Sequence, residues 1–311
     1  MRALPTGRSL APLLAAVALG AAPLAATLSA QQMDHADHLA HAGPAAGGGM
    51  AGVHRSADST LPAGAGEAEA RLAASPRHGE WVMIPGGAPG DSVRAWVVYP
   101  ERSDRAPVVL VVHEIFGLSP WIRAVADQLA ADGFIAVAPD LLTSKNLPGS
   151  PDRGPDPQAA TAAIRTLDRA VVARQLDAVG RYATALPAAR ATYGIVGFCW
   201  GGGTSFAYAT HAPHLGASVV YYGPSPEPAA LASVRAPVLG LYGGNDARVN
   251  STVPAADSAM KAMKKTFEPH FFEGAGHGFL RQQDGQNGAN LKATQQAWPL
   301  TVAFFRKHLG R

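Results

Sequence analysis

Tyr193-Gly194-Ile195-Val196-Gly197-Phe198-Cys199-Trp200-Gly201-Gly202-Gly203 is the stretch that decides how this chain is read. Tyr193 to Phe198 is a short apolar run of strand length, and it passes directly into a glycine-flanked turn and then the helical stretch Thr204 to Thr210. A strand that turns this sharply into a helix strains the backbone of the residue at the apex, and glycines must flank that residue to avoid clashes. The apex here is Cys199, the one cysteine in 311 residues. A thiol there sits over a helix N-terminus, whose partial positive charge favours the thiolate. The backbone N–H of Trp200 points to where negative charge would form on an attacked carbonyl oxygen. A bland reading makes Cys199 a small buried apolar residue, but the strand-turn-helix context favours a nucleophile.

From Gly79 onward, apolar runs of strand length alternate with longer amphipathic stretches. That pattern predicts an α/β domain over residues 78–311, with a mostly parallel eight-stranded sheet and helices on both faces. The expected strands are Glu80 to Ile84, Val93 to Tyr99, Pro107 to His113, Phe134 to Ala138, Tyr193 to Phe198, Ala217 to Tyr222, Val238 to Tyr242 and Pro269 to Glu273. Ser119-Pro120 suits a helix start, with a capping hydroxyl and a proline at the first position, and Gly133 suits its stop. A long helix is expected from Pro157 to Leu186, packing Ile164, Leu167, Val171, Leu176 and Val179 against the sheet. Thr143 to Pro157, rich in Pro, Gly, Asp and Lys, reads as a loop of the kind that roofs a site.

A nucleophile on such a turn needs a base and a group to orient it, in the chain order nucleophile, acid, histidine. Asp246, in Gly243-Gly244-Asn245-Asp246, stands at a strand end where a carboxylate can accept from an imidazole. His277, in Gly274-Ala275-Gly276-His277-Gly278-Phe279, lies on a glycine-rich loop after the last strand, able to reach the turn. The third strand ends in His113-Glu114-Ile115-Phe116-Gly117, and the loop after this strand supplies the second oxyanion N–H, here that of Ile115. Glu114 is a costly carboxylate at a buried strand end unless it has a partner. His113 is a rival base by residue type, although its place on the strand favours packing.

Together, His113-Glu114-Ile115-Phe116-Gly117, Gly197-Phe198-Cys199-Trp200-Gly201-Gly202 and Gly276-His277-Gly278-Phe279 resemble the dienelactone hydrolase family of the α/β-hydrolase fold. The resemblance spans residues 79–311. It implies a metal-independent, cofactor-free hydrolase of lactones or esters with Cys199 as nucleophile, His277 as base and Asp246 as its orienting acid. It also implies that Glu114 helps generate the thiolate when substrate enters. Arg281, four residues beyond His277, matches one of two arginines that grip a substrate carboxylate in that family; Arg153 and Arg165 both lie where the second would be sought.

Arg2 and Arg8 precede an apolar stretch from Leu10 to Leu28, which reads as a secretory signal over residues 1–30 and predicts a periplasmic or secreted bacterial protein. Residues 31–77, dominated by Ala, Gly, Pro and His, read as a disordered tether whose His35, His38, His41 and His54, with Met33 and Met50, offer soft metal ligands on a flexible segment. Net charge is +3 with no basic run, so no nucleic-acid footprint is visible. A lone cysteine excludes an internal disulfide and any multi-cysteine metal site. The expected partner is a small-molecule ester or lactone, with no stable membrane association once the signal is removed, and a monomer or weak homodimer. Two other readings stay open: a broader carboxylesterase or thioesterase, and a non-catalytic periplasmic binding or metal-buffering protein.

Overall fold

The computed structural model describes residues 1, 58–150 and 152–310. Beyond Met1, the expected export signal and the tether histidines fall outside the described residues. The first elements in chain order are α1 (Ala68–Ala73), β1 (Gly79–Pro85), β2 (Ser92–Val98), β3 (Ala106–Val112), α2 (Pro120–Ala131) and β4 (Ile135–Asp140). A two-residue ladder, β5 (Gly149–Ser150) with β6 (Gly154–Pro155), precedes α3 (Pro157–Ile164), α4 (Arg169–Ala185), β7 (Ala189–Phe198) and α5 (Trp200–Ala209). The rest is β8 (Leu215–Tyr221), β9 (Val238–Gly243), α6 (Ala247–Asn250), α7 (Val253–Ala262), β10 (Phe267–Phe272) and α8 (Ala289–Leu309).

All seven residues of β3 are buried, as in a strand covered on both faces. Its side chains alternate between two cores. Val109 and Val111 pack with α2 and α8 residues such as Val125 and Phe305, while Val108, Leu110 and Val112 pack with Leu176 of α4 and Phe206 of α5. The main sheet has eight strands in the order β1-β2-β4-β3-β7-β8-β9-β10. Strand β2 runs antiparallel to both neighbours, and from β4 to β10 all pairs are parallel. From β3 the chain winds one way to β4, then crosses to β7 and winds the other way. The carboxyl ends of β3 and β7 therefore flank the switch point, where open α/β sheets leave a crevice for ligands. This architecture is the predicted one.

Three local expectations are corrected. The single helix expected from Pro157 to Leu186 is two helices, because Asp168 folds its carboxylate onto the N–H groups of Ala170 and Val171 at 2.7 and 3.2 Å and starts a new one. The break resets the helical phase, so α4 buries Val172, Leu176 and Val179, and Val171 is only half-buried. Ser119 occupies the N-cap of α2, but its hydroxyl makes no capping bond there; Pro120 at the first position carries the start.

The third correction is to residues 58–77, expected to be part of a tether. From residue 58 the chain is packed: Leu61, Ala63 and Ala68 are buried, and the Trp121 indole donates to the Ala63 carbonyl at 3.1 Å. Arg77 pairs with Asp127 at 2.6 Å. Gln283 Nε2 donates to the Pro62 carbonyl at 2.8 Å, and the Ala65 N–H donates to the Arg281 carbonyl at 2.9 Å. A few apolar anchors and backbone hydrogen bonds to the domain order a segment whose average composition argued for disorder. Among the described residues no helix is long and apolar enough to cross a membrane.

Candidate active site

At the junction of β7 and α5, Cys199 has φ +56° and ψ −116°, a region that residues with a side chain rarely adopt. Its N–H donates to the Tyr221 carbonyl of β8, and its carbonyl accepts from Gly203. The glycines make the turn possible. A Cβ on Gly197 would lie 1.9 Å from the Gly201 carbonyl oxygen, and one on Gly201 would lie 2.4 Å from that of His113. The helix begins at Trp200, earlier than the sequence pattern placed it, so the Trp200 N–H belongs to the first turn and has no acceptor within the helix. Close contact between Gly201 and the end of β3 brings the His113–Ile115 loop beside the turn. Ile115 is buried there.

Two further strand ends bring the base and its acid. His277 Nδ1 donates to Asp246 Oδ2 at 2.6 Å, and Asp246 Oδ1 accepts from the Val249 N–H at 3.3 Å. The two loops are joined by their backbones, since the Asn245 N–H donates to the Ala275 carbonyl at 2.9 Å. On its other side the imidazole interacts with the Cys199 sulfur. Burial opposes charge on His277, but the Cys199 sulfur and the Asp246 carboxylate outweigh it and push its pKa up to about 10. Burial likewise disfavours charge on Asp246, yet its hydrogen bond to His277 holds the carboxyl below its usual range.

Glu114 is buried, and Arg281 Nε lies 2.8 Å from its Oε1. The guanidinium also sits 4.9 Å from the centre of the Phe116 ring, within cation–π range. Burial raises the Glu114 pKa to about 7, against the pull of Arg281 and His277. His113 is not a rival base. Its ring is fully buried, donates from Nδ1 to the Glu114 carbonyl at 2.8 Å, accepts at Nε2 from the Leu141 N–H at 3.3 Å and stacks on Trp200. Burial lowers its pKa, and the two bonds are those of the neutral ring. Arg153 and Arg165 are both exposed.

Two residues belong to the site that the motifs did not flag. Tyr222, just past β8, has φ +39° and is fully buried, with its ring edge-on to His277 at 5.2 Å. Burial, with the nearby Glu114 and Cys199 charges, raises its pKa well above the usual tyrosine value, and its hydroxyl is buried with no hydrogen-bond partner among the described residues. The visible signal was an aromatic pair and a glycine, Tyr221-Tyr222-Gly223, closing a central strand. Asn290 at the start of α8 accepts from the Gly276 N–H at 2.9 Å and donates to the Gln282 carbonyl at 2.7 Å, bracketing the His277 loop. Nothing in its local sequence marks that role. No group of three or more metal-ligating side chains occurs among the described residues.

A thiol, an imidazole and a carboxylate in line beside two backbone amides are the kind of groups that acyl transfer uses. Comparison with known proteins leads to the same chemistry. The model of the dienelactone hydrolase family matches residues 93–309. A candidate carboxymethylenebutenolidase of Salmonella typhimurium is 32% identical over 261 residues, 77% of this chain and 95% of that protein. A candidate 2-oxo-3-(5-oxofuran-2-ylidene)propanoate lactonase of Bradyrhizobium sp is 32% identical over 246 residues, covering 74% of this chain and 94% of that protein. The crystal structure of a candidate dienelactone hydrolase from Klebsiella pneumoniae superposes with a TM-score of 0.63 at 29% identity, covering 73% of this chain and 98% of the other. These findings set aside the non-catalytic reading: the chain belongs to the dienelactone hydrolase family and is a hydrolase of esters or lactones.

Proposed function

We propose that the protein is an exported hydrolase that opens carboxylate-bearing lactones through a Cys199 thioester. The observation that carries this reading is the line from Cys199 to His277 to Asp246, with the sulfur at a strained apex and the carboxylate 2.6 Å from the imidazole. Asp246 orients the ring, and His277 takes the thiol proton. Sulfur bonds to the lactone carbonyl carbon, the carbonyl π pair moves onto oxygen, and the amides of Ile115 and Trp200 hold that charge. Collapse breaks the ring C–O bond, and His277 returns the proton to the departing oxygen. Water then adds to the thioester with neutral His277 as base, and the thiolate leaves.

Arg281 supports a carboxylate-bearing substrate, because among the described residues its guanidinium meets Glu114 and the Phe116 face. A substrate carboxylate that draws Arg281 away leaves the Glu114 charge to act on His277, favouring the imidazolium that forms as His277 takes the thiol proton. Both relatives' names describe acids built on a lactone ring, in keeping with this substrate class. Export rests on residues 1–30, where basic residues precede an apolar stretch. Replacing Cys199 with Ala should abolish hydrolysis of nitrophenyl esters and enol lactones, measured spectrophotometrically on folded protein. Turnover that survives the substitution overturns the mechanism.

A further inference from the structure

His113 stands where the two amides assigned to the oxyanion meet, although it touches neither the sulfur's partners nor the acid. We infer that the His113 imidazole is a positioning residue that aims and polarises the oxyanion hole. This inference rests on the proposed thioester mechanism and goes beyond it.

The peptide plane supplies the first reason. The carbonyl of Glu114 and the N–H of Ile115 belong to one rigid trans peptide and point in opposite directions. Fixing the carbonyl oxygen therefore aims the amide. His113 Nδ1 donates to that oxygen at 2.8 Å, and the Gly117 N–H donates to it at 3.2 Å. Two donors on the carbonyl also draw charge through the peptide and make the Ile115 N–H a stronger donor, as in any hydrogen-bonded chain.

The second reason is how the ring itself is held. Nε2 accepts from the Leu141 N–H at 3.3 Å, just past the end of β4, so turning the imidazole over would set carbon against both partners, and a proton on Nε2 would oppose donor to donor. Its face lies on the Trp200 indole, with ring centroids 5.5 Å apart and planes 20° from parallel. Trp200 carries the other amide. One neutral ring thus ties the β4 end, the β3 loop and the nucleophile turn together and fixes the spacing between both donors. The burial of His113 is complete, so no solvent competes for these bonds.

The test separates stabilisation of an oxyanion from reactivity of the thiol. In His113→Phe an aromatic ring still covers Trp200 and both hydrogen bonds are lost; in His113→Asn the amide can still donate to the Glu114 carbonyl. Hydrolysis of nitrophenyl acetate develops an oxyanion. Alkylation by iodoacetamide, in which sulfur displaces iodide from carbon, does not. For His113→Phe, kcat should fall about tenfold to hundredfold with KM and the alkylation rate within about twofold of the parent, and His113→Asn should recover most of the loss. An unchanged kcat, a parallel fall in alkylation, or an Asn variant no better than Phe overturns the inference. Should the Phe variant fail to fold, His113→Leu against His113→Asn makes the same comparison. Turnover that survives Cys199→Ala would instead remove the parent mechanism, whatever the His113 variants do.

Discussion

The site holds two buried carboxylates, each beside one basic side chain, and they behave in opposite ways. Asp246 meets His277 at 2.6 Å, takes a second bond from the Val249 N–H, and is held below its ordinary pKa. Glu114 meets Arg281 at 2.8 Å, yet burial wins and its pKa rises to about 7. Desolvation opposes both charges; on Asp246 the hydrogen bond and charge of His277, with the Val249 N–H adding to them, more than offset it, whereas on Glu114 burial outweighs Arg281 and His277. Asp246 is therefore a fixed orienting group, whereas Glu114 can gain or lose a proton near neutral pH.

Three substitutions can break or sharpen that contrast. Asp246→Asn keeps the shape of the fixed pair but presents an amide that no longer favours the Nδ1–H ring, so kcat should fall on the order of 10³ to 10⁴. Steady-state kinetics on a neutral aryl ester checks this, and a small loss would mean that His277 is oriented by its loop alone. Glu114→Gln should lower kcat/KM about a hundredfold and, more tellingly, remove the rise in activity expected of the parent as pH passes 7. A rise that persists in the Gln variant assigns that limb to another group.

Stability should divide the pairs as well, with opposite signs. The folded pKa of Glu114 lies above its ordinary 4.5, so its contribution is fully present below 4.5 and is lost as pH climbs through 7. Asp246 is depressed below its ordinary 3.8, so its contribution is present above that value and is lost as pH falls through the folded pKa. Thermal melts of the parent and Glu114→Gln should therefore diverge between pH 4.5 and 7, with the parent losing ground toward the higher value. The smallest effect is expected for Arg281→Ala. It should raise KM about tenfold for carboxylate-bearing esters and leave neutral ones within about twofold. An equal penalty on both classes would make Arg281 a partner of Glu114 and nothing more.

Much of this was legible in the chain before any coordinates. All eight long strands stand within a few residues of where period and length put them; β3 and β9, buried on both faces, write unbroken apolar runs, and β2 alternates as a strand with one covered face does. The Cys199 turn was readable since its crowding tolerates little but glycine at positions 197 and 201. Less visible were features set by single polar side chains. The Asp168 carboxylate splits a helix whose apolar stripe runs on, and Asn290 fixes a loop that precedes it by more than ten residues. Tyr222 was hidden for another reason: its ring reads as core until the neighbouring loops show that its hydroxyl faces charge. Residues 58–77 were misjudged because the average over a polar window conceals a few well-placed anchors such as Leu61.

That last segment changes how the protein should be trimmed. Beginning an expressed fragment at residue 78 would strip the Ala65 amide from the carbonyl of Arg281 and the Pro62 carbonyl from Gln283. A shortened enzyme that binds acids poorly would then say little about the guanidinium itself. Starting upstream of Asp58 keeps that brace, and lets any contribution of the histidine-bearing leader be measured apart from damage to the loop that carries Arg281.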